Sequence, residues 1–315
     1  MQVIATPRYC QHDCDGVALV LVLWMLALLS IIAGNLVFST RTDLLVEGNF
    51  AAQAKAEAAA DAGVYKAIYE MSQPPTVDIK PWRGDGVVHP WQFADCPLEI
   101  TIVDESGRID LNAASPALLQ GLFRSLGRAD ADAEALADAI VDWRDADDLR
   151  SPHGAENEDY IAAGRSYGPA NAPFEAVEEL RQVLGIDEQL FLRAEPLLTV
   201  HSHHAGINTA VASRQVLLAI PDATPELVDT FIAQRNAALA EQAQPPLFPL
   251  APELQSGGFG AIATILVRAE LGDNMRFFRE ATVRLGGNSP PVILAWRKPM
   301  VPSANTPPVA SAELP

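Results

Sequence analysis

Positive charge is scarce in this chain. Lys and Arg number 22 against 40 Asp and Glu in 315 residues, for a net charge of −18. A protein that grips nucleic acid without regard to sequence needs a basic surface to displace counterions, so the composition argues for no nucleic acid partner. Cysteine is scarcer still. Of three, Cys10 and Cys14 precede a long apolar run and only Cys96 follows it, so the part beyond the run can form no intrachain disulfide even in an oxidising compartment. Cys10-x-His12-x-Cys14 offers too few ligands for a closed metal site, and His201, His203 and His204 lack the Cys or paired helical His that would complete a zinc centre. There is no glycine-rich phosphate loop, no nucleophile elbow, and no carboxylate pair that spacing alone sets around a substrate. The sequence therefore offers no catalytic residues, which points away from an enzyme.

The longest gap is in charge of either sign. Nothing between Asp15 and Arg41 is ionisable. A helix from Val17 to Phe38 would be about 33 Å long, enough to cross a bilayer core. One anchor near the N-terminus would leave nearly everything else on one side of the membrane. A secretory signal has a shorter core followed by a small-residue cleavage site, whereas Ser30 to Gly34 is followed by more apolar residues. The helical pattern also continues past the span. From Arg41 to Met71 there is no proline, and Leu44, Leu45, Phe50, Ala54, Ala58, Val64, Ile68 and Met71 recur at helical spacing.

Pro74-Pro75 stops this helix and the texture changes. Val87-Val88, Trp91 to Phe93 and the alternating Leu98 to Val103 predict short strands. Ala261 to Leu271 and Phe277 to Leu285, joined by Gly272-Asp273-Asn274, predict a hairpin, and Val292 to Trp296 a further strand. Between these strand groups, Ser115-Pro116 reads as a capped helix start before Leu118, Leu119, Leu122 and Phe123. Leu136, Ile140 and Trp143 mark a second helix. Phe174, Val177, Leu180 and Leu184 mark a third, ending at Gly185. Asn208-Thr-Ala210 echoes Asn112-Ala-Ala114, so two helical pairs form weak internal copies with a helix-hairpin-helix look. Such modules often bind DNA phosphates. Here, however, residues 113–250 hold 21 Asp and Glu, 9 Arg and no Lys, and the turns lack a Gly-x-Gly cradle.

The segment from Asp142 to Asp159 is the candidate chemical site. Asp142, Asp145, Asp147, Asp148, Glu156, Glu158 and Asp159 crowd the end of the Trp143 helix, offset only by Arg144 and Arg150. Carboxylates there oppose the helix dipole and raise one another's pKa unless a cation is present. A hard oxygen-loving cation such as Ca²⁺ would relieve both problems. The spacing is not that of an EF-hand, because Leu149 and Arg150 occupy positions that need an oxygen ligand and a glycine. A solvated acidic loop accounts for the spacing as well.

The leader ending in Gly16, the apolar helix directly after it and its amphipathic continuation together resemble the type IV prepilin-like proteins. Most members carry Glu as the fifth mature residue, where this chain has Leu21. A filament subunit uses that Glu to neutralise its neighbour's terminal amine inside the membrane. Its absence resembles the K pseudopilins of type II secretion, as do Asp104-Glu-Ser-Gly-Arg-Ile-Asp-Leu-Asn112, Val141-Asp-Trp-Arg-Asp-Ala-Asp-Asp148, Gly154-Ala-Glu-Asn-Glu-Asp-Tyr160 and Asn171-Ala-Pro-Phe174. The resemblance implies an α+β fold, with a pseudopilin-like long N-terminal helix packed on an antiparallel sheet and a large helical domain inserted between the strands. The expected divisions are a leader (1–16), a transmembrane part (17–40) and a periplasmic part (41–72) of the helix, sheet segments 73–111 and 259–298, an insertion 112–258 and a disordered tail 299–315. It implies cleavage by a prepilin peptidase between Gly16 and Val17, with methylation of Val17. It also implies an inner-membrane location with the bulk in the periplasm, and partnership with the I and J minor pseudopilins in a tip complex that supports export of folded proteins. Structural calcium at Asp145, Asp147, Asp148, Glu156 and Asp159 is a further implication. The competing expectation is a single-pass membrane-anchored binding module unrelated to pili.

Overall fold

A computed structural model describes residues 15–74, 82–241, 243–257, 260–272, 275–286 and 289–299. Cys10, His12, Cys14, Pro75, the Asp273-Asn274 turn and residues 300–315 of the expected tail lie outside the described residues. The chain forms two compact units, residues 1–55 and 56–315. Helix α1 (Asp15–Met71) spans 57 residues, with Gly16 and Val17 in its first turn. In the first unit its apolar side chains stand exposed, from Leu19 and Trp24 through Phe38 to Leu44, Leu45 and Phe50. Among the described residues, α1 is the one helix long and apolar enough to cross a membrane.

In the second unit α1 changes character. Ala56, Ala59, Ala60, Val64 and Ala67 recur every three or four residues and are fully buried. This stripe of small side chains lets the helix lie close against a sheet. A Cβ on Gly63 would come within 2.7 Å of Val267, so the approach is tightest there.

The strands among the described residues are β1 (Asp85–Phe93), β2 (Cys96–Asp104), β3 (Ile109–Asp110), β4 (Leu198–Thr199), β5 (Ile262–Leu271), β6 (Met275–Gly286) and β7 (Ser289–Arg297). Five of them form an antiparallel sheet in the order β1-β2-β5-β6-β7. The Val87-Val88 and Trp91–Phe93 runs belong to the single strand β1, with a register shift between Asp85 and Val88. Along β2, Cys96, Leu98, Ile100 and Ile102 point to the helix side, opposite Ala269, Val267 and Ile265 of β5 for the last three. Arg279 of β6 also points inward. Its guanidinium bonds Asp61 Oδ1 at 2.6 Å and Glu57 Oε1 at 2.7 Å on α1, and is only 7% exposed.

Between β2 and β5 lies a helical domain with its own core, built on α2 (Pro116–Ser125), α3 (Asp130–Arg144), α4 (Asn157–Ala162), α5 (Glu188–Ala194), α6 (Arg214–Leu217) and α7 (Pro225–Ala240). Ile109 and Leu111 belong to this core and not to the sheet's. Ser115 caps α2 as its sequence predicts, accepting from Leu118 N at 3.3 Å. The helix expected over Phe174 to Leu184 is instead a 3₁₀ turn at Val177–Gln182. Only Leu180 of those six residues is fully buried, so no apolar face draws out a longer α-helix. Gly185 does take the left-handed conformation, with φ 86°.

The internal repeat is geometric. Ile109 pairs in parallel with Leu198, and Ile207 forms a parallel bridge to Gln255. The carbonyl of Asp110 accepts from Ala113 and Ala114, and that of Asn208 from Val211 and Ala212. Ser115 and Ser213 cap the two first helices. Arg144 of α3 donates to the carbonyls of Leu111 and Ala114, while Arg235 of α7 donates to those of Thr209 and Ala212. Asp110, not Asn112, is therefore the equivalent of Asn208. The two copies touch at Gly121, where an added Cβ would fall 1.8 Å from the carbonyl oxygen of Ala219. Alanine favours a helix over glycine by about 1 kcal/mol. We nevertheless expect Gly121→Ala to destabilise the protein by about 2 kcal/mol through overpacking, seen as a lower unfolding midpoint. An unchanged or raised midpoint would show that the two copies do not meet so closely.

Candidate metal site in the helical domain

Helix α3 delivers the first carboxylates and loses its regular backbone at Asp145, whose φ −80° and ψ 164° are extended. Two carboxylates of the helix then sew the following loop to it, and a third braces the loop itself. Asp142 is fully buried and accepts from Ser151 N at 3.1 and 3.2 Å. Asp138 Oδ2 accepts from His153 N at 3.0 Å, and Asp147 Oδ1 turns back onto Leu149 N at 2.8 Å. Gly154 is required by this packing, since a Cβ there would lie 1.9 Å from Asp142 Oδ2. The loop ends at Glu156, the residue before α4.

Four oxygens in this region are buried with no hydrogen-bond partner among the described residues. They are Asp145 Oδ1, both carboxylate oxygens of Glu156, and Asn171 Oδ1. Glu156 is only 8% exposed. The Asn171 amide is oriented by its other end, which donates to Asp148 Oδ1 at 3.0 Å. Loss of water pushes the Glu156 carboxyl above its ordinary range and the charges of Asp142, Asp145 and Asp148 push it further, with the nearby Asn157 backbone N–H offsetting only part of this. Asp145 is raised in the same way, first by burial and then by Asp147 and Asp142. Asp142, Asp145 and Asp148 thus all bear on Glu156, Asp148 from an exposed position.

Asp147 and Asp159 are engaged differently from the other expected ligands. Asp147 is exposed and holds its own turn. Asp159 accepts from Glu156 N at 3.0 Å through Oδ2, and its Oδ1 pairs with Arg150 Nη1 at 3.0 Å. Among the described residues no three His, Cys, Asp or Glu side chains converge as a closed centre. The arrangement is instead an open set of oxygen acceptors in which Asn171, an amide, takes part. Sequence reasoning weighed only carboxylates there. Asn171 sits at φ 48°, a conformation that asparagine tolerates better than most residues, and its place just before Ala172-Pro173 was the available signal. The histidine loop serves another end. Ser202 Oγ and His203 N both donate to Asp110 Oδ2, at 3.1 and 2.8 Å.

Residues 100–203, which contain this whole site, match the family model for type II secretion system protein K. Protein K of Pseudomonas aeruginosa is 30% identical over 149 residues, covering 44% of each chain. That of Aeromonas hydrophila is 30% identical over 206 residues, covering 58% of this chain and 62% of the relative. That of Pectobacterium carotovorum reaches 38% over 91 residues, 28% of each. The chain thus spans less than two thirds of the length of these curated relatives. In fold, it resembles a chain of the GspK-GspI-GspJ complex from the enterotoxigenic Escherichia coli type 2 secretion system, with a TM-score of 0.56, 17% identity, and coverage of 83% of this chain and 99% of that one. The long helix on its sheet, the inserted helical domain and the matched sequence all liken this chain to type II secretion system protein K, with residues 100–203 matching that family's model.

Proposed function

We propose that this protein is a non-enzymatic minor pseudopilin, anchored by α1 in the inner membrane, that joins I and J pseudopilins in a complex at the tip of a periplasmic pseudopilus. The carrying observation is the inserted domain at residues 105–261, which adds a second core to the sheet and makes the subunit too bulky for a buried shaft position. Support for the partners comes from the solved structure named above, in which a protein of this fold is found with GspI and GspJ. Leu44, Leu45 and Phe50, each more than 60% exposed, lie just beyond the apolar span and suit packing against neighbouring helices. The role is to cap or initiate the pseudopilus and so support export of folded proteins.

The acidic site fits Ca²⁺. Asp145, Asp148, Glu156 and Asn171 would hold it, and the ion would supply the positive charge that the unpartnered oxygens lack, within a shell of roughly six to eight oxygens. Asp147 and Asp159 then support the loop from outside. This would make the ion structural, a clasp between the end of α3 and the loop that carries Asn171.

Three outcomes test these proposals. Calcium at a hundredfold excess over its Kd should stabilise the protein by about 2.7 kcal/mol. Chelation should lower the melting temperature, and Mg²⁺ should restore it poorly because it demands tight octahedral geometry. Glu156→Gln should abolish the calcium increment, whereas Asp159→Asn should lower the baseline and keep it. Because burial raises the Asp145 and Glu156 carboxyls, their contribution without a cation is full below the ordinary carboxylate range and is lost as pH rises through their raised values. The calcium increment should accordingly be largest near neutrality and fade toward about pH 4. A melting temperature indifferent to millimolar calcium would sink the site.

For assembly, full-length protein in detergent should co-elute with the I and J pseudopilins, and Leu44→Asp with Phe50→Asp should weaken that association. Wild-type protein that elutes alone at micromolar concentration would count against the tip complex. For processing, the intact mass of membrane-extracted protein should correspond to a chain starting at methylated Val17, and a bulky residue at Gly16 should leave the longer form. Retention of Met1 on functional protein would refute cleavage there.

A further inference from the structure

The turn that opens the first copy of the helical repeat does more than start α2. Asn112 Oδ1 accepts from Phe174 N at 2.7 Å, while its Nδ2 donates to the Phe174 carbonyl at 3.0 Å. One side-chain amide thus fixes both the position and the direction of a backbone segment far along the chain. Phe174 is 3% exposed and its ring lies 6.0 Å from Trp143, on the helix that leads to Asp145. Three residues before Phe174 stands Asn171, with Nδ2 on Asp148 and Oδ1 buried without a hydrogen-bond partner among the described residues. The opposite wall is anchored on the same turn. Arg144, beside Asp145, donates to the carbonyls of Leu111 and Ala114, which flank Asn112.

The second copy provides an internal control. With Asp110 equivalent to Asn208, the position of Asn112 is taken by Ala210. That turn makes the same backbone hydrogen bonds, carries the same serine cap and receives the same arginine clamp. The turn therefore does not need an asparagine. What the second copy lacks is the segment from Asp145 to Pro173 that brings the acidic loop and Asn171.

We propose that Asn112 is a positioning residue for the cation: by holding Phe174, it sets the Asn171 amide oxygen where calcium would bind. This rests on the calcium reading above. Its consequence is that calcium and the Asn112–Phe174 pair stabilise each other, since a ligand that favours one arrangement of a loop is favoured by it. Loss of an outer-shell partner of this kind typically weakens metal affinity roughly 10- to 100-fold.

The test compares full-length wild-type protein in detergent with Asn112→Ala, using calcium alone as the probe and calorimetry to read its Kd. Asn112→Ala should fold, given Ala210 in the equivalent turn, yet bind calcium at least tenfold more weakly. In an Asn171→Ala background the same change should cost little more. Hydrogen exchange at the Phe174 amide should slow on calcium addition in the wild type and respond far less in Asn171→Ala. Equal calcium affinity in wild type and Asn112→Ala, whatever the change in melting temperature, overturns the assignment. If Asn112→Ala does not fold, Asn112→Asp decides, because it keeps the acceptor for Phe174 N and loses the donor; an unchanged affinity there overturns the assignment too. Failure of the wild type to bind calcium would instead overturn the calcium reading, and this one with it.

Discussion

A domain inserted into a sheet must leave and re-enter through adjacent points, and here one carboxylate governs both. Asp104, the last residue of β2, accepts from Ser106 N at 2.9 Å as the chain departs and from Gly260 N at 2.8 Å as it returns toward β5. The side chain is buried, and its neighbours are shaped to let it in. A Cβ on Gly260 would lie 2.5 Å from Asp104 Oδ1, and one on Gly84 would lie 2.5 Å from its backbone nitrogen. The sheet's register continues to the edge of this neck, where Asp104 pairs with Ala263. Without the clasp, the two cores would be joined by two independent tethers. With it, Ser106 can also receive Asn208 N at 2.8 Å on its carbonyl, tying the second helical copy to the point of exit.

The helical domain is held by cations turned toward backbone carbonyls. Arg144 and Arg235 are the equivalent groups of the two copies, and burial lowers the pKa of both guanidinium groups. Each neutralises carbonyl dipoles at the turn before a first helix, where orphan groups would otherwise be costly to bury. The copies then diverge. From Arg235 the chain runs through the end of α7 and a proline-rich stretch to its bridge at Gln255, while from Arg144 it passes through the acidic loop, α4, the 3₁₀ turn and α5 before reaching β4. The acidic loop is thus an elaboration of one copy. It need not stabilise the module, since the other copy closes without it.

Much of the architecture was legible because it depends on periodicity. The apolar run, the alanine-rich continuation, the alternation in β2 and the Ser115-Pro116 start each follow from local patterning, and all appear as elements. The missed features depend on tertiary partners. The pattern over Phe174 to Leu184 reads as helical, yet Phe174 is held by the Asn112 amide and packed on Trp143, and of the residues in the 3₁₀ turn that follows only Leu180 is fully buried. The repeat's register is concealed in the sequence because one copy uses Asp110 where the other uses Asn208, while Asn112 is the residue of matching type. Side-chain oxygens of both acids and amides cap turns in the same way, so chemistry preserved what residue identity did not.

Charge density alone does not separate scaffold carboxylates from unpartnered ones, for a related reason. In a chain this acidic, most carboxylates already have donors. Asp104, Asp110, Asp142 and Asp187 accept from backbone N–H groups, and Asp159 divides itself between one such group and Arg150. A carboxylate satisfied in this way is part of the scaffold, however many others surround it. Glu156 and Asp145 differ because burial deprives them of water while their neighbours supply negative charge and few donors. An ionised group in that position either takes up a proton or acquires a cation. The distinguishing mark of the proposed site is therefore a deficit of hydrogen-bond donors, and a neutral amide such as Asn171 would enter it on the same footing as the acids.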